Sequence, residues 1–383
     1  MNVSIIDTAE ELERIRDGWD RLAVAVARPY CSPGWLLPWW RHVSPSGALL
    51  RTVAVEDRGR LVAVAPYFME RGPGGLAEYR PLGRGAAQRL TMLADPGSEA
   101  EAAEAITGAL AEAEPQPRSV RLEAIDADSP WPDLLRAAWP ARPRPWAHRD
   151  GRLAAPTLRL EGTYENWLAS KPGKFRGEVG RGRRKLEAAG GRLRMSRDFA
   201  EAERDLKAFF RLHVGRFEGR GGSSAVGPGM ERMLLDAARA MVPEGRLRLW
   251  MVDLGDETIG ASILLAAGGE VVGWSTGFDE RYSRLQPGIL MTMATIEDAF
   301  TRGDRRLDLG GGAHPYKLRF ASGDAPIEWV TLFPRDRRYP LTRAQVAPRH
   351  LREKARAAAQ RLSPETRRRI KRRLSSLRRT GSD

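Results

Sequence analysis

The sequence predicts a mixed α/β protein of two domains followed by a basic helical tail, and three observations lead there. The chain has 383 residues, enough for two units that each bury a core. In both halves strand-like and helix-like segments alternate. Each half also holds an apolar strand, an acidic turn with glycine, and a second apolar strand rich in alanine. The first strand and turn are Val53-Ala54-Val55-Glu56-Asp57-Arg58-Gly59 in one half and Trp250-Met251-Val252-Asp253-Leu254-Gly255 in the other. The charge is divided as well: Arg335 to Asp383 hold 17 Lys/Arg against 4 Asp/Glu, so of the net +14 only +1 belongs to everything before. The expected divisions are 1–150, 151–335 and a basic tail 336–383, with the Pro-rich run 140–145 approaching the first boundary.

In order, residues 3–6 read as a strand, and Leu12, Ile15, Trp19 and Leu22 give 9–26 a helical spacing. Pro33 suits the first turn of a helix over 35–42. Residues 51–56 and 61–69 read as a hairpin about Asp57-Arg58-Gly59. A strand at 78–82, a helix at 99–112, a strand at 120–125 and a short helix at 131–139 complete the first half. The second half opens with a strand at 157–160, then helices at 164–171, 175–189, 201–217 and 230–241. A hairpin over 248–253 and 258–266 turns at Gly255-Asp256. A strand at 271–278, a helix at 288–301 and strands at 306–309 and 327–333 come next.

With 42% hydrophobic and 29% charged residues, the composition is that of a soluble globular protein. No apolar stretch is long enough to cross a bilayer, and Glu10, Glu11, Glu13, Arg14, Arg16 and Asp17 argue against a signal peptide. The expected location is the cytoplasm, with peripheral attachment at the inner membrane if the tail binds lipid. A single cysteine, Cys31, excludes an internal disulfide and reads as a small core residue rather than a nucleophile. The five histidines lack metal-ligand spacing, so no metal is expected.

Residues 271–320 carry the chemistry. The strand Val271-Val272-Gly273-Trp274 leads towards Phe278, Tyr282 and Pro287-Gly288 at a helix start. Such an end presents unpaired N–H groups and a positive dipole to an anion, and Arg284 adds charge one turn earlier. An ordinary helix start has the same residues. The strand Leu307-Asp308-Leu309 then enters Gly310-Gly311-Gly312, followed by His314-Pro315-Tyr316-Lys317-Leu318-Arg319-Phe320. An acid, a histidine, a tyrosine and a lysine within ten residues make a candidate site, the alternative being a solvated loop. Gly273-Trp274-Ser275-Thr276-Gly277 also fits G-x-S-x-G, with Asp308 and His314 downstream in hydrolase order. That motif needs a sharp strand-to-helix elbow at the serine, which this sequence does not offer. Gly72-Pro73-Gly74-Gly75-Leu76-Ala77 reads as a turn, since no useful helix comes after it.

An ordered set of motifs resembles the acetyltransferases of the CelD/BcsL type, associated with cellulose and other exopolysaccharides, which share a GNAT domain with FemAB-like proteins. Tyr30-Cys31-Ser32-Pro33-Gly34-Trp35 with Trp39-Trp40 looks like the family's aromatic N-terminal motif. Lys174-Phe175-Arg176 through Arg181, Arg183-Arg184-Lys185-Leu186 resembles its Arg-rich segment. Leu212-His213, Arg216-Phe217 and the turn to Gly222 match the next stretch. Tyr282, Pro287-Gly288, Asp308, Pro315-Tyr316-Lys317 and Arg319-Phe320 match the C-terminal signature. The resemblance covers about residues 1–335.

It implies two tandem GNAT-like domains, each a mixed, mostly antiparallel sheet flanked by helices, with splayed central strands that admit acyl-CoA, acetyl-CoA foremost. The donor would lie along Trp274 and Ser275 and at Gly288, Ile289 and Arg284. Substrate contacts are expected from Tyr282, Lys174, Arg176 and Trp35. The usual phosphate loop, Gln/Arg-x-x-Gly-x-Gly/Ala, is altered here, because Arg284-Leu285-Gln286-Pro287-Gly288-Ile289-Leu290 has one glycine and a shifted arginine. FemAB-like relatives take an aminoacyl group from tRNA instead, and a non-catalytic scaffold of polysaccharide synthesis is the third reading. Acyl transfer needs a base, oxyanion stabilisation and a proton for the leaving group. The expected roles are Asp308 or His314 as base, Tyr316 as proton donor and Lys317 as stabiliser of negative charge. The basic helix would steer a phosphate-bearing glycan or lipid-linked precursor. The tail, with Ile370, Leu374 and Leu377 on one face among arginines, would rest on anionic lipid, nucleic acid being the rival.

Overall fold

The computed structural model describes residues 1–217, 229–344 and 346. The basic tail from 347 on, with Ile370, Leu374 and Leu377, and residues 218–228, with the glycine turn to Gly222, therefore lie outside the described residues.

The first half contains β1 (Asn2–Ile6), α1 (Ala9–Arg14), α2 (Arg16–Ala25), α3 (Pro33–Val43), β2 (Leu49–Leu50), β3 (Thr52–Asp57) and β4 (Arg60–Ala65). It continues with β5 (Tyr67–Arg71), β6 (Ala77–Pro81), β7 (Leu93–Ala94), α4 (Glu99–Glu112), β8 (Ser119–Asp126), α5 (Trp131–Ala138) and β9 (Trp146–Leu153). The second half opens with β10 (Pro156–Arg159), α6 (Tyr164–Ala169), α7 (Gly173–Ala188), β11 (Gly191–Met195), α8 (Phe199–Phe217) and α9 (Met230–Met241). Then come β12 (Leu247–Leu254), β13 (Glu257–Ala267), β14 (Glu270–Phe278), α10 (Pro287–Thr301), β15 (Arg306–Asp308), α11 (Pro315–Leu318), β16 (Gly323–Asp324) and β17 (Ile327–Phe333).

The two halves repeat one plan. A strand and then helices, three in the first half and two in the second, lead to a hairpin, β3–β4 and β12–β13, paired in the orders β1-β3-β4 and β11-β12-β13. A helix then crosses between two parallel strands, α4 between β6 and β8, and α10 between β14 and β15. Every other pairing is antiparallel, so the sheets are mixed and mostly antiparallel, as the sequence predicts.

The helix expected over 9–26 is two, α1 and α2, the strands β9 and β11 have no counterpart in the sequence reading, and two further departures concern how the sheets are built. The strand expected over 61–69 is two strands: β4 joins the four-stranded sheet β1-β3-β4-β7 and β5 the six-stranded sheet β2-β5-β6-β8-β17-β9. Pro66 stands at the break, where a residue without an N–H ends a ladder. β17, read as the last strand of the second half, inserts between β8 and β9 of the first half's sheet.

The seven-stranded sheet β11-β12-β13-β14-β15-β10-β16 forms the frame of the second half. On one face α8 and α9 pack with α3 of the first half, in a core that includes Trp19, Trp35, Trp39, Phe209, Met233, Ile263 and Val272. On the other face α7 and α10 cover Leu158, Val271, Met293, Ile296 and Leu307. Covered on both sides, β13 is buried throughout 259–267, which is why it reads as an unbroken apolar run.

Candidate active site

Glu270, Val271 and Val272 open β14 buried, paired in parallel with Arg306, Leu307 and Asp308. The pairing then ends, because β15 stops at Asp308 while β14 continues to Phe278. A β-bulge falls at this point. Ile263 pairs with Ser275 and Leu264 with Gly273, which leaves Trp274 as the extra residue. A bulge bends its strand and increases its twist, and past Val272 β14 runs on without a β15 partner, which leaves a gap in the ladder between them. Beyond Val272, β14 is half-buried at every position except Gly277.

Residues of the first half meet β14 and β15 where that gap begins. Tyr30 donates its hydroxyl to the carbonyl of Gly273 at 3.0 Å. Burial, then the nearby Asp308, push that hydroxyl far above the usual phenol range, so it stays a donor. Arg89, 3% exposed, donates from Nε to Asp308 at 2.5 Å, from Nη1 to Asp126 and from Nη2 to the carbonyl of Ala325 at 2.8 Å. Arg28 pairs with the other oxygen of Asp126 at 2.5 Å. The amide side chain of Gln88 accepts from the N–H of Gly311 at 3.1 Å, and the Trp274 indole donates to the carbonyl of Ala86 at 2.9 Å.

At Phe278 the far end of β14 meets the start of α10, where a Cβ on Gly288 would lie 3.6 Å from the phenyl ring. Gln286, the N-cap, holds φ 56° and ψ 45°, a left-handed conformation rare outside glycine, and makes no side-chain cap. Its amide instead donates to Glu178 of α7 at 3.3 Å, and Arg319 clamps the same carboxylate. Pro287 has no N–H to offer, while Ile289 and Leu290 both donate to the carbonyl of Gln286. Gly288 and Ile289 remain half-buried and Arg284 exposed, so this helix end is not sealed. Lys174 and Arg176 are exposed on the first turn of α7. Tyr282 is half-buried and donates its hydroxyl to Glu257 at 2.9 Å.

Three expected roles change when the side chains are placed. Asp308 is 2% exposed, with one oxygen on Arg89 and the other accepting from the N–H of Gly310 at 2.8 Å. A carboxylate so occupied anchors the glycine turn and is poorly placed to take a proton. Lys317 is 7% exposed and donates to the carbonyls of Gly310 and Gly311, both at 2.9 Å, so it ties the same turn. Burial holds its ammonium below the usual lysine range, partly offset by Asp308. Trp35, expected to touch substrate, is a core residue at 0% exposure, edge-on to Tyr30 at 6.1 Å and to Trp274 at 5.6 Å. Its helix is apolar nearly all round and is packed on both sides. Ser275 sits mid-strand, not at an elbow, and His314 lies exposed beyond the glycine turn, stacked with Tyr316 at 6.2 Å. The hydrolase arrangement is therefore not formed.

The structure places Trp274 and Ser275 at the bulge, and Gly288 and Ile289 at the helix start beside Phe278, the last residue of the same strand. Tyr30, Gln88, Arg89 and Arg28 belong to the apex; Tyr30 opens the aromatic N-terminal motif, while no local motif marks the other three, which reach the apex across the boundary between halves. Among the described residues no group of three or more His, Cys, Asp or Glu could hold a metal, and no helix is long and apolar enough to cross a membrane.

Residues 173–318, from α7 to α11, match the family described as acetyltransferase (GNAT) domain. This span contains the bulge, the gap and the α10 start. Several solved structures share the fold along most of the chain. The crystal structure of FemX aligns with TM-score 0.60 at 13% identity, over 89% of this chain and 99% of that one. A conserved protein of unknown function from Bacteroides thetaiotaomicron aligns with TM-score 0.55 at 10% identity, over 87% of this chain and 100% of that one. The C-terminal domain of a putative lysylphosphatidylglycerol synthetase from Agrobacterium fabrum aligns with TM-score 0.55 at 9% identity, over 89% and 97%. No curated protein matches the sequence. The second half thus carries an acyltransferase domain of GNAT type within a tandem fold like that of FemX.

Proposed function

We propose that the chain transfers an acyl group, most simply acetyl from acetyl-CoA, to an amine or hydroxyl of a glycan or other cell-envelope or exopolysaccharide precursor. The carrying observation is the bulge at Trp274 beside the end of β15. An acyl donor lying in the gap would meet unpaired backbone groups of β14, and Tyr30 and Arg89 would limit how deep it runs. N–H groups at Trp274 and Ser275 would hold the carbonyl as it becomes an oxyanion. The α10 start, with Arg284, would hold the pyrophosphate. Lys174 and Arg176 would meet the phosphate of a lipid-linked or nucleotide-linked acceptor. His314 and Tyr316 would return a proton to the leaving thiolate, and the tail would rest on anionic lipid at the inner membrane.

The FemX-like fold over 99% of that chain favours one second reading, aminoacyl transfer from aminoacyl-tRNA. Calorimetric titration separates the two. Binding of acetyl-CoA, competed by free CoA, supports the first. Binding of aminoacyl-tRNA with none of CoA replaces it with the second. If neither binds, a scaffold role takes over.

A further inference from the structure

α8 is amphipathic, and Ala202, Leu206 and Phe209 line its buried stripe at spacings of four and three. The next position on that stripe is His213, only 3% exposed although it can ionise. Its ring stacks on Phe209 at 5.5 Å and 30°, and Phe209 in turn packs on Trp274 at 5.9 Å. Nδ1 of His213 lies 3.4 Å from the hydroxyl of Ser275, the residue after the bulge. Gly277 permits this approach. A Cβ there would lie 3.2 Å from the backbone nitrogen of His213 and 3.4 Å from Leu212. A half-buried serine next to the bulge is thus backed by a histidine whose ring is fixed by an aromatic stack.

We infer that His213, acting through Ser275, is the general base of the acyl transfer. The inference rests on the acyl-CoA reading above. The acceptor nitrogen or oxygen attacks the thioester carbonyl, a bond to carbon forms, and the carbonyl electron pair moves onto oxygen. The acceptor's proton passes to Oγ of Ser275 as the serine proton passes to Nδ1, giving an imidazolium. Collapse breaks the carbon–sulfur bond and the pair leaves on sulfur, which takes its proton from the His314 and Tyr316 pair while the imidazolium gives its own to water, so that CoA leaves as the thiol. A separation of 3.4 Å is loose, as base contacts often are before substrate closes them. Charged groups on the surrounding elements include Arg211 of α8, which donates to the carbonyl of Thr258, and the Arg89–Asp308 pair at the apex.

The test uses the full chain and acetyl-CoA, with water as acceptor so that no acceptor amine titrates. CoA release is followed against pH for wild type, His213→Gln and Ser275→Ala, with acetyl-CoA affinity and melting temperature measured on each. His213→Gln should lower kcat by about 10²–10⁴-fold and remove the acid-side limb of the profile, with affinity unchanged. Ser275→Ala should lower kcat by roughly tenfold or more and serves if His213→Gln fails to fold. Turnover within about threefold of wild type with the acid limb intact in either folded variant overturns the assignment and leaves the donor reading standing. So does acetyl-CoA binding by wild type without CoA release. A wild type that does not bind acetyl-CoA overturns the donor reading, and the base falls with it.

Discussion

Arg89 and Asp308 lie 219 positions apart in sequence, yet their guanidinium and carboxylate meet at 2.5 Å, each 2–3% exposed. This contact joins the two halves where β15 ends and the gap begins. Arg89 also donates to Asp126, so its removal strands the buried Asp308 and leaves the half-buried Asp126 with Arg28 alone. Breaking one side of a buried pair costs about 3–5 kcal/mol, more than the intact pair contributes over an apolar substitute. Arg89→Ala should therefore lower unfolding free energy by about 3 kcal/mol or more in a denaturant melt. Asp308→Asn, which leaves Arg89 on Asp126, should cost less. Equal and small losses would show that the apex does not hold the halves together.

Glu270 gives the fold a pH dependence of defined sign. Burial raises its carboxyl to about 7, against the lowering effect of Arg306, whose Nε donates at 2.7 and 2.9 Å. The folded state thus holds this proton more tightly than the unfolded chain. The contribution is complete below about 4.5 and is lost as pH rises through about 7. Over that window wild type should lose on the order of 3 kcal/mol relative to Glu270→Gln. Urea melts of both proteins between about pH 5 and 8 check this, and parallel profiles would refute it.

These two groups show what the sequence could and could not convey. Local signals were legible. The turns at Asp57-Arg58-Gly59 and Gly255-Asp256 fall between β3 and β4 and between β12 and β13, where acidic residues and glycine suit a tight hairpin. The α10 start and the ends of β17 were equally readable. The apex was not, because Tyr30, Gln88 and Arg89 acquire their roles only by long-range closure. The bulge at Trp274 was hidden too, since an extra residue in one strand is defined by its partner's register. Asp308, Lys317 and Trp35 were singled out for their chemical type, and burial then assigned two of them to anchoring and one to packing.

The turn between β13 and β14 offers a sharper contrast. Gly268 and Gly269 both have positive φ, 58° and 80°. A Cβ on Gly268 would sit 2.1 Å from the carbonyl oxygen of Val24 and 3.0 Å from Cα of Ala27, backbone atoms of the first half that cannot step aside. On Gly269 it would meet only the guanidinium of Arg305 at 3.2–3.4 Å, which can swing away. Gly269→Ala should show mainly the left-handed penalty of about 1–2 kcal/mol. Gly268→Ala should add a backbone clash and exceed about 3 kcal/mol. Thermal melts of the two variants suffice, and similar values would place this turn away from α2.

Lys317 provides the last test, because its two readings predict opposite results. As a catalytic group its loss would slow turnover and leave the fold alone. In the structure its ammonium holds the carbonyls of Gly310 and Gly311 at 2.9 Å each, and the N–H of Gly311 reaches Gln88 across the halves. Lys317→Ala removes two charge-assisted bonds and leaves two carbonyls without that donor, a loss of about 1–3 kcal/mol. The Gly311 amide should then exchange with solvent much faster, because the turn that presents it to Gln88 is no longer fixed. Hydrogen exchange resolved at that amide, with acetyl-CoA affinity measured in parallel, separates the cases. Faster exchange with unchanged affinity supports a positioning role. Unchanged exchange with a collapse in kcat would return Lys317 to the chemistry.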